Sequence, residues 1–342
     1  MLRMWCFGQN RVGRAFGFGM LVGLLFVLTN CQRQATHGIH FYHWRTHSEI
    51  GEVEQDYFRQ LHCQKLYIRF FDVDRQHGGI TPVAKLQSFD AEKLDASYVP
   101  VVFITNRTFS GISELEICEL AKNIHTLIRE VATTIQLSEI SELQIDCDWT
   151  ESTRSAYFRF LKELKQVSGR PVSCTLRLHQ IKFSQQTGVP PVDKGYLMCY
   201  ATSNPTGEEQ NSILDMALLK DYTAGINDYP LDFDIALPIY SWGIVTNHLG
   251  KVKLINNVSV HDLDTSSFCA VGDHRFELRE DAFFRGFYLN KGFTLKVESI
   301  SPVLLQEAKA YLHQKIKRPY DIVYYHLDEA FLKNYTIQNL QP

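Results

Sequence analysis

No Cys-x-x-Cys pair occurs among the 8 cysteines of this sequence, and without that spacing neither a zinc ribbon nor a thioredoxin-type redox site is expected. His-Glu-x-x-His is also missing. His40, His43, His179 and His326 fall on strand-like runs without metal-ligand spacing, so no metal is expected. No glycine-rich loop follows the first strand-like run, which argues against a nucleotide fold, and Ser241-Trp242-Gly243 lacks the nucleophile elbow of a serine hydrolase. Nothing else in the chain implies a cofactor. Positive charge is scarce as well, with 35 basic residues against 38 acidic ones and no basic stripe. Nucleic acid is therefore not an expected partner. The longest apolar run, residues 15–29, is too short to span a bilayer as a permanent helix.

That run has a different use. Residues 1–14 hold Arg3, Arg11 and Arg14 and no acid, so the opening has the charged and apolar parts of an export signal. Leu28-Thr29-Asn30-Cys31 sits where cleavage should fall, and it resembles the lipobox of bacterial lipoproteins, with Asn30 where glycine or alanine is usual. The resemblance implies a signal peptide over 1–30, a lipid on Cys31 and a tether over 32–36. Gln32 after the cysteine implies the outer membrane of a bacterial cell envelope. An ordinary cleaved signal is the alternative. More than one acyl chain gives stable anchoring, at about 0.8 kcal/mol per buried methylene.

Beyond the tether, 45% hydrophobic content over the whole chain is enough for a sizeable core. Eight strand-like runs are read at 39–44, 65–72, 99–105, 143–149, 172–179, 196–202, 233–240 and 321–327. Helical spacing appears at 48–61, 113–135, 151–167, 211–222, 302–316 and 329–335. Strands alternating with helices imply a parallel sheet, and this number of repeats fits a (β/α)8 TIM barrel over 37–342. Residues 243–300 break the repeat with short alternating runs, and they read as a small β-rich insertion after strand seven.

The fourth and fifth runs show which way side chains face. Leu143, Ile145, Cys147 and Trp149 alternate with Gln144, Asp146, Asp148 and Thr150. Val172, Cys174, Leu176 and Leu178 alternate with Ser173, Thr175, Arg177 and His179. A period of two sends the apolar set to the helices and the polar set into the barrel. Asp146 and Asp148 would then share an inward face near the carboxyl ends of the strands, where barrel enzymes hold their chemistry. Like charges so close need a cation, and Arg177 on the next strand is the natural partner.

Ile145-Asp146-Cys147-Asp148-Trp149-Thr150 resembles the fourth-strand Asp-x-Asp-x-Glu motif of family 18 glycoside hydrolases, the chitinase family. Met198-Cys199-Tyr200 resembles that family's Met-x-Tyr. The stretch 177–193 looks like a group of bacterial barrel lipoproteins related to those hydrolases. The resemblance implies that Asp148 supports the substrate's acetamido group as nucleophile and that Tyr200 hydrogen-bonds it. Thr150 stands at the position of the acid, which threonine cannot replace at neutral pH. Asp72 and Asp74 at the end of strand two, or Asp328 and Glu329 at the end of strand eight, are the other candidate acids. A glycosidase of the ordinary type needs two carboxyls across the bond, about 5–5.5 Å apart for retention or 6.5–9.5 Å for inversion.

Tyr42 and Trp44 end the first run, and Tyr240 and Trp242 end the seventh. Aromatics at a barrel mouth suit the C–H faces of sugars, while core packing is their commoner use. Arg69, Asn106, Arg177, His179 and His326 complete a candidate binding set. The reading is a glycan-active surface lipoprotein, a glycoside hydrolase-like barrel whose partner is an oligo- or polysaccharide. A glycan-binding barrel without catalysis is the alternative, and a structural component of an envelope complex is the second.

Overall fold

The computed structural model of the protein describes Met1 and residues 37–342, except 77, 138, 208 and 209. The expected signal peptide, Cys31 and the tether lie outside the described residues. All eight expected strands form: β1 Ile39–His43, β2 Lys65–Gln76, β3 Ser97–Ile104, β4 Leu143–Asp146, β5 Val172–Arg177, β6 Lys194–Met198, β7 Phe233–Pro238 and β8 Ile322–Tyr325. Each is parallel to its neighbour, and β1 closes the ring by pairing with both β8 and β2 (Phe41 opposite Tyr324 and Leu66). The fold is a (β/α)8 barrel.

Helices α1 Glu52–Gln60, α2 Glu114–Thr134, α3 Arg154–Ser168, α4 Met216–Tyr222 and α5 Pro302–Lys315 cover its outside. The start of α2 is fixed by a capping box. The Ser113 hydroxyl accepts from the Glu116 N–H, and a Glu116 carboxylate oxygen accepts from the Ser113 N–H at 2.8 Å. Ile117, Leu120, Ile124, Ile128 and Val131, at helical spacing, are buried against the sheet. Helix α3 buries Tyr157, Phe160, Leu161 and Leu164 and ends on Gly169, whose φ of 62° is the left-handed cap that favours glycine. Among the described residues no α-helix covers the step from β2 to β3. Gly79–Val83 folds back antiparallel on β2 there instead.

Trp149 shows why the fourth strand reads so clearly. It is fully buried and stacks on Tyr157 of α3 at 5.1 Å, and its indole N–H donates to the Thr187 carbonyl at 2.9 Å. Leu143, Ile145 and Cys147 share that outer face and are equally buried. On the opposite face the Gln144 side chain lies inside the barrel and accepts from the Tyr42 hydroxyl at 2.8 Å.

The insertion begins earlier than expected. Strand β7 ends at Pro238, and the chain enters a new strand at Ser241–Thr246. With Val252–Asn256, Phe268–Gly272, Arg275–Leu278 and Thr294–Ser299 it makes an antiparallel five-stranded sheet, and Ala282–Phe284 pairs with Phe287–Leu289 as a separate hairpin. Val245, Ile255, Val258, Phe268, Leu278, Leu295 and Val297 are among the residues of its own small core.

Candidate functional site

The carboxyl ends of the barrel strands enclose a cavity of about 570 Å³, within the range of small-molecule sites. Its lining comes from nearly every strand. Tryptophan- and tyrosine-bearing segments supply the apolar part: Trp44 follows β1, Tyr200 follows β6, Tyr240 and Trp242 follow β7, and Tyr325 ends β8. The polar part is Arg45, Arg69, Asp72, Asp146, Arg177, His326 and Asp328, with Asn256 and Asn257 from the insertion.

Tyr325 is the hub of the aromatic group. Its ring centroid lies 5.7 Å from Trp44, 5.7 Å from Tyr200 and 5.6 Å from Tyr240, and Tyr240 meets Trp242 edge-on at 5.4 Å. These spacings suit edge-to-face and tilted packing, so the rings brace one another. Arg69 lies over Trp44, 5.7 Å from the ring centroid. Burial, with Tyr325 adjacent, pushes the Tyr200 hydroxyl well above its ordinary value, so it is a neutral phenol. That hydroxyl is buried and has no hydrogen-bond partner among the described residues.

Every carboxylate lining the cavity meets an arginine. Asp146 accepts from the Arg177 guanidinium at 3.0 Å and from the Thr175 hydroxyl at 2.7 Å. Arg69 forks onto Asp72, with its Nε 2.7 Å from one oxygen. Arg45 pairs with Asp328, which also accepts from the Ala330 N–H at 2.9 Å and so caps the short helix Glu329–Leu332. A strictly alternating β2 would put Arg69 and Asp72 on opposite faces. A bulge between Arg69 and Phe71 shifts the register by one and turns both inward.

The expected candidates divide between this cavity and its surroundings. Trp44, Arg69, Asp72, Asp146, Arg177, Tyr200, Tyr240, Trp242, His326 and Asp328 line it. Asp148 does not. The β4 ladder ends at Asp146, and Asp148 lies beyond it, half-exposed, 3.5 Å from His179 and 3.4 Å from the Gln180 side chain. His179 was expected on strand five, but that strand stops at Arg177. The Gln180 side chain accepts from the Arg177 N–H at 2.8 Å and turns the chain into the helix Leu178–Lys182, which carries His179 outside the cavity.

Tyr42, expected at the mouth, is fully buried inside the barrel beneath it. Asn106 lies in a short 3-10 helix after β3, where its side chain bonds Thr150 and Thr153 rather than the cavity. Asp74 is drawn sideways by Arg107 and Thr105, whose hydrogen bonds hold its carboxyl well below the usual carboxylate range. Glu329 is exposed in the first turn of its helix. Trp242 belongs to the insertion, not to β7, and its indole N–H donates to Glu298 at 2.8 Å. Sequence reasoning missed Tyr325 and Arg45. Tyr325 could have been found, because alternation along β8 sets it opposite the outward Tyr324. Among the described residues no group of His, Cys, Asp and Glu converges as a metal centre would require.

No family model matches the sequence, and no curated protein matches it. Solved structures do. The spore cortex-lytic enzyme SleL of Bacillus cereus is 16% identical with a TM-score of 0.51, over 89% of this chain and 72% of that one. A Group IV chitinase of Ostrinia furnacalis is 10% identical with a TM-score of 0.49, over 89% of this chain and 97% of that one. At such identity the likeness is one of architecture, and this chain shares its (β/α)8 barrel fold with the spore cortex-lytic enzyme.

Proposed function

We propose that the barrel is a saccharide receptor that binds a glycan in the cavity at its strand ends and does not hydrolyse it. The observation that carries this reading is the braced aromatic group around Tyr325, with the unmet Tyr200 hydroxyl buried beside it. Leaving a buried hydroxyl unpaired costs about 1–3 kcal/mol, which a ligand hydroxyl or amide recovers on binding. Rings supply flat apolar faces, and the arginine-aspartate pairs supply fixed donors and acceptors around them. Hydrolysis of the ordinary type needs a protonated carboxyl across the bond from a second one, and the substrate-assisted route still needs the protonated acid. Each cavity aspartate is instead engaged by an arginine, and Thr150 lies in a hydrogen-bonded turn with Asn106 and Thr153.

Calorimetry of the purified protein with chitohexaose, cellohexaose and peptidoglycan fragments tests this. Saturable binding to at least one is expected, weakened about tenfold by Trp44→Ala or Trp242→Ala, with no product on long incubation. Absence of binding across the panel sinks the reading.

A hydrolytic alternative rests on Asp148, which is half-exposed beside His179. It predicts product from the unaltered protein and none from Asp148→Asn.

The opening segment adds a location. The proposed lipid on Cys31 holds the barrel to the outer membrane. Cys31→Ser is then expected to move the protein from the membrane fraction to the soluble one, and unchanged partition overturns the anchor.

A further inference from the structure

We infer that Glu298, a residue of the insertion, is the positioning residue that sets the orientation of Trp242 as a wall of the cavity. The inference deepens the saccharide reading and rests on it for its effect on binding.

The two residues are directly opposite in the antiparallel ladder between Ser241–Thr246 and Thr294–Ser299, so their side chains leave the sheet on the same side. Glu298 is only 3% exposed. Its Oε2 accepts from the Trp242 indole N–H at 2.8 Å and from the Ser212 hydroxyl, and Lys296 Nζ lies 2.7 Å from Oε1. Lys296 is itself seated, donating to the carbonyls of Gln210 at 2.7 Å and Gly207 at 3.1 Å. Ser212 and those carbonyls belong to the segment that follows Tyr200. Glu298 therefore joins the aromatic wall of the insertion to the segment leaving β6.

A buried carboxylate is an expensive way to hold two segments together, because apolar side chains of similar volume usually do so as well or better. What a carboxylate adds is direction. Its oxygen fixes the indole N–H, and with the ring edge-on to Tyr240, centroids 5.4 Å apart, the indole is held at two points. Burial pushes the Glu298 carboxyl up, but Lys296, Ser212 and Trp242 outweigh it and leave it below the ordinary value. The acceptor is thus ionised and strong at neutral pH.

The test uses the full chain with Glu298→Met, Glu298→Gln and Trp242→Phe, read by chitohexaose affinity and by the indole N–H resonance of Trp242. That resonance is identified by its loss in Trp242→Phe. Glu298→Met is expected to shift it upfield and speed its exchange at least about tenfold, and to weaken chitohexaose about five- to twentyfold. Glu298→Gln, which keeps an acceptor oxygen, should stay within about threefold of the unaltered protein on both readouts. In a Trp242→Phe background, Glu298→Met should change affinity less than about twofold. An unmoved indole signal in Glu298→Met overturns the inference, and so does an undiminished affinity loss in the Trp242→Phe background. A Glu298→Gln variant as impaired as Glu298→Met overturns it too, and serves if the methionine variant does not fold. Should the unaltered protein bind no saccharide, the resonance still decides the positioning role, and only the saccharide reading falls.

Discussion

Between pH 7.5 and pH 5 the protein is expected to lose about 4 kcal/mol of stability, seen as a falling midpoint of urea unfolding. The cause is a pair of buried histidines. His43 ends β1 and His326 follows β8, and they are 2% and 9% exposed with ring centroids 6.4 Å apart. His43 Nδ1 shares a hydrogen bond with the Leu327 carbonyl at 3.3 Å, while its Nε2 and the Nδ1 of His326 find no partner among the described residues. Burial disfavours the imidazolium at both, and the neighbouring His326 (for His43) and Arg45 (for both) add to it, against opposing pulls from the Leu327 backbone on both and from Asp328 on His43. Each is lowered from 6.5 to about 3.

The sign follows from counting protons. Below 6.5 the unfolded chain takes up a proton on each histidine that the folded chain refuses until about pH 3. Stability therefore falls as pH falls through that window, at about 1.4 kcal/mol per pH unit for each fully titrating histidine. Stopping at pH 5 keeps clear of carboxylates such as Asp321, which the His40 ring 3.6 Å away and the Gly38 N–H hold at about 2. The double variant His43→Leu, His326→Leu should flatten the dependence over this range. A flat profile in the unaltered protein, or the same slope in the double variant, is the contrary result.

Arg177→Met is expected to destabilise the barrel by about 3 kcal/mol, because it strands Asp146 rather than because it loses a contact. The Asp146 side chain is 6% exposed, and without Arg177 its remaining hydrogen-bond partner among the described residues is the Thr175 hydroxyl. Arg177 itself is partly exposed at the cavity wall, so the smaller end of the usual range for a broken buried pair applies. Adding Asp146→Asn removes the stranded charge, and the double variant should regain about half or more of the loss. Urea unfolding of the three variants measures the cycle. A single-variant loss under about 1 kcal/mol would show the pair to act as a solvent-screened surface pair.

Eight strands were legible in the sequence because each must satisfy two environments at once. Leu143, Ile145, Cys147 and Trp149 meet helices while Gln144 and Asp146 fill the ring, and that conflict writes a period of two into the chain. Depth was not legible. Tyr42 and Trp44 differ by one step of the same alternation, yet the first is sealed inside and the second lines the cavity. Alternation sets Asp148 on the inward face, but the ladder ends at Asp146, beyond which the backbone is no longer held in the sheet and Asp148 leaves the cavity. The bulge beside Arg69 and the turn at Gln180 each reset the alternation, and neither announces itself by glycine or proline. Tyr240 and Trp242 looked like one strand because the insertion continues the same spacing in a different sheet. The pairing of Arg45 with Asp328 joins residues 283 positions apart, which no local pattern encodes.

Three arginines matched by three aspartates leave these pairs of the cavity lining without net charge. A balanced lining adds little of its own to the long-range steering of charged molecules. In the proposed receptor, selection then falls to touching range, where ring faces and fixed polar groups read shape.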